Sequence, residues 1–143
     1  MSIVDASVVV AIFKTDDAHH TLARSWYRSA LRGDLVVPSI LLAEVAGALA
    51  RPTGDPEEAR LAVQSIRNTT GIRVVPVDVA LGQAAADIAR TQRIRGCDAV
   101  YVALAARTGE PLITLDDEQI ARGSAVAEVR RPEPPMDDDD DAD

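Results

Sequence analysis

Short aliphatic runs alternate with helix-length segments along nearly the whole chain. Strands are expected at Ser2–Val4, Leu35–Val37, Arg73–Val75 and Leu112–Thr114, with a fifth at Ala125–Val129. Between them lie segments with helical spacing or clear start signals: Ser7–Phe13, Thr21–Leu31, a run opened by Ser39, another opened by Asp55-Pro56 with Glu58 three residues on, and one opened by Asp78 that runs to about Arg93. A last helix begins at Asp98 and stops at Gly109. Strands that are apolar throughout are buried on both faces, and strands separated by helices pair in parallel. The pattern therefore predicts an α/β fold with a parallel sheet covered by helices on both sides.

A core for such a fold needs aliphatic side chains. The 143 residues are 47 % hydrophobic but only 3 % aromatic, so the core is built from Ala, Val, Leu and Ile. Cys97 is alone, and an intramolecular disulfide is excluded; a reducing compartment such as the cytoplasm is the simplest fit. The apolar start "MSIVDASVVVAIFK" has no basic leader and is broken by Asp5, and no run approaches the roughly 20 apolar residues of a membrane span. Charge is unevenly placed. The segment "PEPPMDDDDDAD", residues 132–143, carries seven acids and no base, and is expected to be a disordered tail behind a globular domain of residues 1–131. Without those seven acids the formal charge of −8 falls to −1, which leaves a nucleic-acid partner open. The body's cations are fourteen Arg and one Lys, Lys14.

Four acids stand out, three as the single charge of an apolar stretch and one directly after an apolar strand. Asp5 follows the first strand, Asp116 follows the fourth, Glu44 sits one turn into the helix after the second, and Asp98 opens the helix that feeds the fourth. In open parallel sheets, ligands bind beyond the carboxyl ends of the strands, where Asp5, Glu44 and Asp116 are expected. Each has a plainer alternative: Asp98 as a helix cap like Asp55 and Asp78, Asp5 and Asp116 as turn residues, Glu44 as an exposed helix former. Asp117 competes with Asp116. Together, converging carboxylates repel one another unless some take up protons or a cation joins them. An all-oxygen cluster suits a hard ion, Mg²⁺ or Mn²⁺. Such a site suits phosphodiester hydrolysis, with nearby Arg93, Arg95, Arg51 and Lys14 available to hold a nucleic acid. Other chemistries fit poorly. His19 and His20 are expected as solvated loop residues, Cys97 as a small buried side chain, and no nucleophile elbow, P-loop or Rossmann glycine pattern is present.

The blocks "IVDASVVVAIF", "VPSILLAEVAGAL" and "CDAVYVALAARTGEPLITLDDEQI" occur in the order seen in PIN-domain ribonucleases. The chain resembles that family over roughly Met1–Val129, and most closely its VapC toxins of prokaryotic toxin–antitoxin modules. The resemblance implies a three-layer α/β/α sandwich with a mostly parallel central sheet. It places Asp5, Glu44, Asp98 and Asp116 at the family's catalytic, metal-holding positions, and Ser7 at a small hydroxyl position beside the first acid. It further implies cleavage of RNA with Mg²⁺ or Mn²⁺, a homodimer, and a cognate antitoxin that blocks the site. The acidic tail is outside the pattern. A competing reading keeps the fold and the acids but makes the protein an inactive binding module. A phosphoacceptor receiver domain fits poorly, because "IVDAS" offers a single acid and no lysine stands late in the chain; an aspartic protease fits worse, since "DAS" occurs once.

Overall fold

The computed structural model describes residues 1–135. Five strands form one sheet: β1 (Ser2–Val4), β2 (Leu35–Pro38), β3 (Ile72–Val75), β4 (Leu112–Ile113) and β5 (Val129–Arg130). Their order is β3-β2-β1-β4-β5 and every pairing is parallel, with Ile3 facing Val36 on one side and Leu112 on the other. Seven helices surround it: α1 (Ala6–Phe13), α2 (His20–Ala30), α3 (Ile40–Thr53), α4 (Pro56–Asn68), α5 (Val79–Gln92), α6 (Gly96–Thr108) and α7 (Asp117–Gly123). The α/β/α sandwich expected from the alternation is the architecture observed. The chain steps outward from β1 to β3, then crosses back to β4. Because parallel crossovers are right-handed, this reversal puts the later helices on the opposite face and opens a crevice between the ends of β1 and β4.

Helix α6 explains why the sheet's centre is so dry. Every residue from Ala99 to Ala105 is buried, so the helix has no polar stripe and is covered on all sides. It packs under β1 and β2 and against α5. Its two ends reach the surface, the first turn with Asp98 and the last with Arg107. Helix α7 presses closely on it: a Cβ on Gly123 would lie 3.1 Å from the Val102 side chain and 3.2 Å from that of Val129, so any larger residue would push these valines aside by a few tenths of an ångström.

Several local expectations shift. Ser39 does not cap α3 with its side chain; its Oγ instead accepts from the Val77 N–H, 3.3 Å away, and ties α3 to the β3–α5 connection. Helix α6 starts two residues before Asp98, so the "IRGC" loop is shorter and Asp98 is not a cap. The segment after Asp116 forms α7, a helix that no apolar periodicity announces, and β5 lies at Val129–Arg130 rather than within Ala125–Val129. Cys97 is exposed rather than buried. His20 is not simply solvated: its Nδ1 lies 2.8 Å from the Ala11 carbonyl, joining α2 to α1. Pro132 is buried, and the rest of the proposed tail from residue 136 lies outside the described residues. Among the described residues, no helix is long and apolar enough to cross a membrane.

Candidate active site

Asp5 leaves β1 in extended conformation and caps α1, its Oδ2 accepting from the Ser7 N–H at 2.9 Å. It is 4 % exposed. A buried carboxylate needs donors, and the neighbouring strand supplies them. Thr114, just beyond β4, donates from Oγ1 to Asp5 Oδ2 at 3.3 Å. Its single proton is thereby used, so the 3.3 Å contact with Ser7 Oγ is a bond donated by Ser7. Ser7 Oγ in turn accepts from the Leu115 N–H at 3.0 Å, and Thr114 Oγ1 accepts from the Asp116 N–H at 3.1 Å. The two hydroxyls thus lock the β1–α1 and β4–α7 turns together at the crevice.

Asp116 caps α7, with Oδ1 accepting from the Gln119 N–H at 3.0 Å. Asp117 turns away, its side chain 84 % exposed and paired with Arg131. Of the two adjacent acids, Asp116 lines the cleft. Arg95, at the head of α6, forks between Asp98 Oδ2 at 3.2 Å and Asp116 Oδ2 at 3.3 Å. Glu44 enters from α3 and receives a hydrogen bond at Oε1 from Tyr101 Oη, 2.8 Å away. Tyr101 is fully buried in α6, one turn beyond Asp98.

All four acids line one open cleft of about 730 Å³, together with Ser7, Arg51, Arg95, Asp17, His19 and Cys97. Arg93 does not; it occupies a left-handed position at the end of α5, where its carbonyl accepts from Arg122. Lys14 is likewise outside the lining. Burial first, and then the negative charges of Asp5 and Asp98, push the Glu44 carboxyl above its ordinary pKa, against the pull of the Tyr101 hydrogen bond. The Asp98 carboxyl is raised by burial, Asp5 and Asp116, with Arg95 opposing. These are groups short of positive charge. Their donor set, all oxygen, fits a hard cation. As they stand, no three acids, histidines or cysteines among the described residues are drawn together closely enough to hold one. Arg95 occupies the space between Asp98 and Asp116 instead.

Sequence reasoning named the acids but not the buried groups that hold them. Thr114 and Tyr101 lie in or beside apolar runs and Gln119 in a short polar segment, and nothing local marks any of them as the partner of an acid far away in sequence. The one available signal was Thr114, placed two residues before a candidate acid.

A family model for the PIN domain matches residues 2–124. The chain belongs to the PIN domain family. Among solved structures, this PIN domain is similar to VapC20 of Mycobacterium tuberculosis, described as a sarcin-ricin loop cleaving toxin. The two are 25 % identical, with a TM-score of 0.75, over 91 % of this chain and 99 % of that one. FitAcB from Neisseria gonorrhoeae shares the fold at 18 % identity and TM-score 0.70, over 92 % and 98 % of the two chains. So does VapBC2 from Rickettsia felis, solved with a DNA fragment from its promoter, at 9 % identity and TM-score 0.71, over 92 % and 98 %. Comparison with curated proteins finds no match.

Proposed function

We propose that this PIN domain is a metal-dependent endoribonuclease, the toxin of a toxin–antitoxin module. One observation carries the reading: Asp5, Glu44, Asp98 and Asp116 come from four different elements and line a single cleft at the β1–β4 switch point. Together with the resemblance to PIN-domain ribonucleases, likeness to VapC20, described as a sarcin-ricin loop cleaving toxin, supports RNA as the substrate. Likeness to VapBC2 supports a cognate antitoxin as partner. A homodimer rests on the family resemblance alone.

The four acids would hold Mg²⁺ or Mn²⁺, which supplies Lewis-acid stabilisation of charge developing on the scissile phosphate. The chain's own residues do the rest. Ser7 and Thr114 keep Asp5 in one orientation, so its charge is aimed before substrate arrives. Tyr101 fixes Glu44 Oε1 and leaves Oε2 without a protein partner among the described residues, available to a ligand. Arg95, once released from Asp98 and Asp116, and Arg51 on the same cleft are placed to pair with RNA phosphates.

The test is incubation of the purified protein with total RNA and Mg²⁺ or Mn²⁺, with EDTA and Asp98→Asn as controls. Discrete fragments that vanish in both controls are expected. Cleavage that survives both would refute the carboxylate–metal mechanism. Absence of cleavage by folded, antitoxin-free protein favours the inactive binding module.

A further inference from the structure

Gln119 is the most buried charged or amide side chain near the cleft, 1 % exposed, yet it does not line the cleft itself. Its Nε2 donates to Asp5 Oδ1 at 3.4 Å and to the Asp98 main-chain carbonyl at 3.1 Å, and its backbone N–H donates to Asp116 Oδ1 at 3.0 Å. A single residue of α7 therefore touches three of the four acid-bearing segments. Its amide orientation is dictated by these contacts, because both neighbours of Nε2 are acceptors and the reversed amide would set oxygen against oxygen. The cost of that orientation is visible: Oε1 is buried and has no hydrogen-bond partner. An orphaned buried acceptor is unfavourable, and an apolar side chain of the same length would avoid it. For fold stability the glutamine sets two donated bonds against one orphaned acceptor. The amide does what neither an apolar nor a cationic residue can. It donates to Asp5 from beneath without adding a charge that would compete with a metal ion.

We propose that Gln119 is a positioning residue that sets the spacing of Asp5, Asp98 and Asp116 for divalent-ion binding. This rests on the metal-nuclease reading above. The Ser7 N–H and the Thr114 hydroxyl hold only the other oxygen of Asp5, Oδ2; Oδ1 depends on Gln119. Helix α7, pressed onto α6 through Gly123, keeps the amide at the Asp98 carbonyl.

The test is Mn²⁺ titration of the wild-type chain, Gln119→Met and Gln119→Leu by calorimetry and Mn²⁺ spectroscopy, alongside thermal unfolding of the metal-free proteins. The two apolar variants differ in branching, so one that fails to fold leaves the other to decide. In a variant that folds, the Mn²⁺ dissociation constant is expected to rise about ten-fold whichever way the metal-free Tm moves, as when an outer partner of a metal ligand is removed. A purely structural glutamine would give a lower Tm with unchanged Mn²⁺ affinity, and that result would overturn the inference. Wild-type protein that binds no Mn²⁺ would overturn the metal reading and the inference together, and is distinguishable because it appears before any substitution is made.

Discussion

Replacing Tyr101 by Phe removes one oxygen and little else. The ring stays in the core, no cavity forms, and the 2.8 Å bond to Glu44 is lost. A hydrogen bond to a charged group contributes about 1.5–3 kcal/mol. Glu44 is only half-buried, so water can replace part of the contact, and the expected cost at neutral pH is nearer 1–2 kcal/mol. For a domain of this size that lowers Tm by roughly 3–8 °C. The pH dependence carries more information. The Tyr101 bond favours the ionised Glu44 carboxylate and holds down a pKa that burial and neighbouring charges raise. Without it, that pKa rises further. The acid limb of the cleavage rate should then move to higher pH, because protonated Glu44 appears sooner as pH falls. The stability loss should be full above the Glu44 pKa and smaller below it, where both proteins carry the neutral acid. Thermal unfolding across pH 4–8 (a window spanning about the ordinary carboxylate pKa to neutrality) and rate–pH profiles at saturating Mn²⁺ measure both effects. A Tm difference that is flat with pH, joined to an unmoved acid limb, would refute the idea that Tyr101 acts through the charge on Glu44.

Three further outcomes follow from the same geometry. Asp98 and Glu44 have raised carboxyl pKa values, so between the unfolded and folded pKa values the metal-free fold holds protons that the unfolded chain has released; stability falls as pH rises through that window, and Asp98→Asn should raise the metal-free Tm at pH 7 while abolishing the upward shift that Mn²⁺ gives the wild type. Removing Arg95 as Arg95→Ala withdraws a cation that bridges Asp98 and Asp116, so Mn²⁺ should bind a few-fold more tightly in low salt while the KM for RNA rises; weaker Mn²⁺ binding would show that Arg95 supports the ion site rather than competing for it. Thr114→Val keeps the shape but deprives Asp5 of a donor and the Asp116 N–H of an acceptor, and should cost about 1–3 kcal/mol in chemical denaturation together with a loss of Mn²⁺ affinity.

The alternation of strands and helices was legible because it is written locally, in runs of Val, Ile and Leu and in the Asp55 and Asp78 caps. Asp5 and Asp116 were legible for the same reason: each follows a strand directly, and the parallel-sheet rule says where that places it. Glu44 stood out by its isolation. What could not be read is whatever depends on strand order. Gln119 and Thr114 matter because β4 lies beside β1, and no local pattern states that adjacency. Helix α7 escaped notice because its seven residues are mostly polar and its start depends on the Asp116 cap. Asp98 looked like a cap because Gly96 and Cys97 are poor helix formers; packing of the buried stretch Ala99–Ala105 extends α6 past them.

The pairing of β1 with β4 has a consequence for the order in which the cleft is made. Asp5 and Glu44 emerge early in synthesis, but Thr114 is 109 residues beyond Asp5 and Gln119 is 114 beyond it. While the chain is still growing on a ribosome, the first acid has neither its threonine donor nor its glutamine, and the crevice has only one wall. The cleft is completed by the last stretch of the domain to be translated. On the proposed reading a nascent chain has no finished cleft while it is being made, and one cut short before β4 carries Asp5, Glu44 and Asp98 without Asp116 or the groups that aim Asp5.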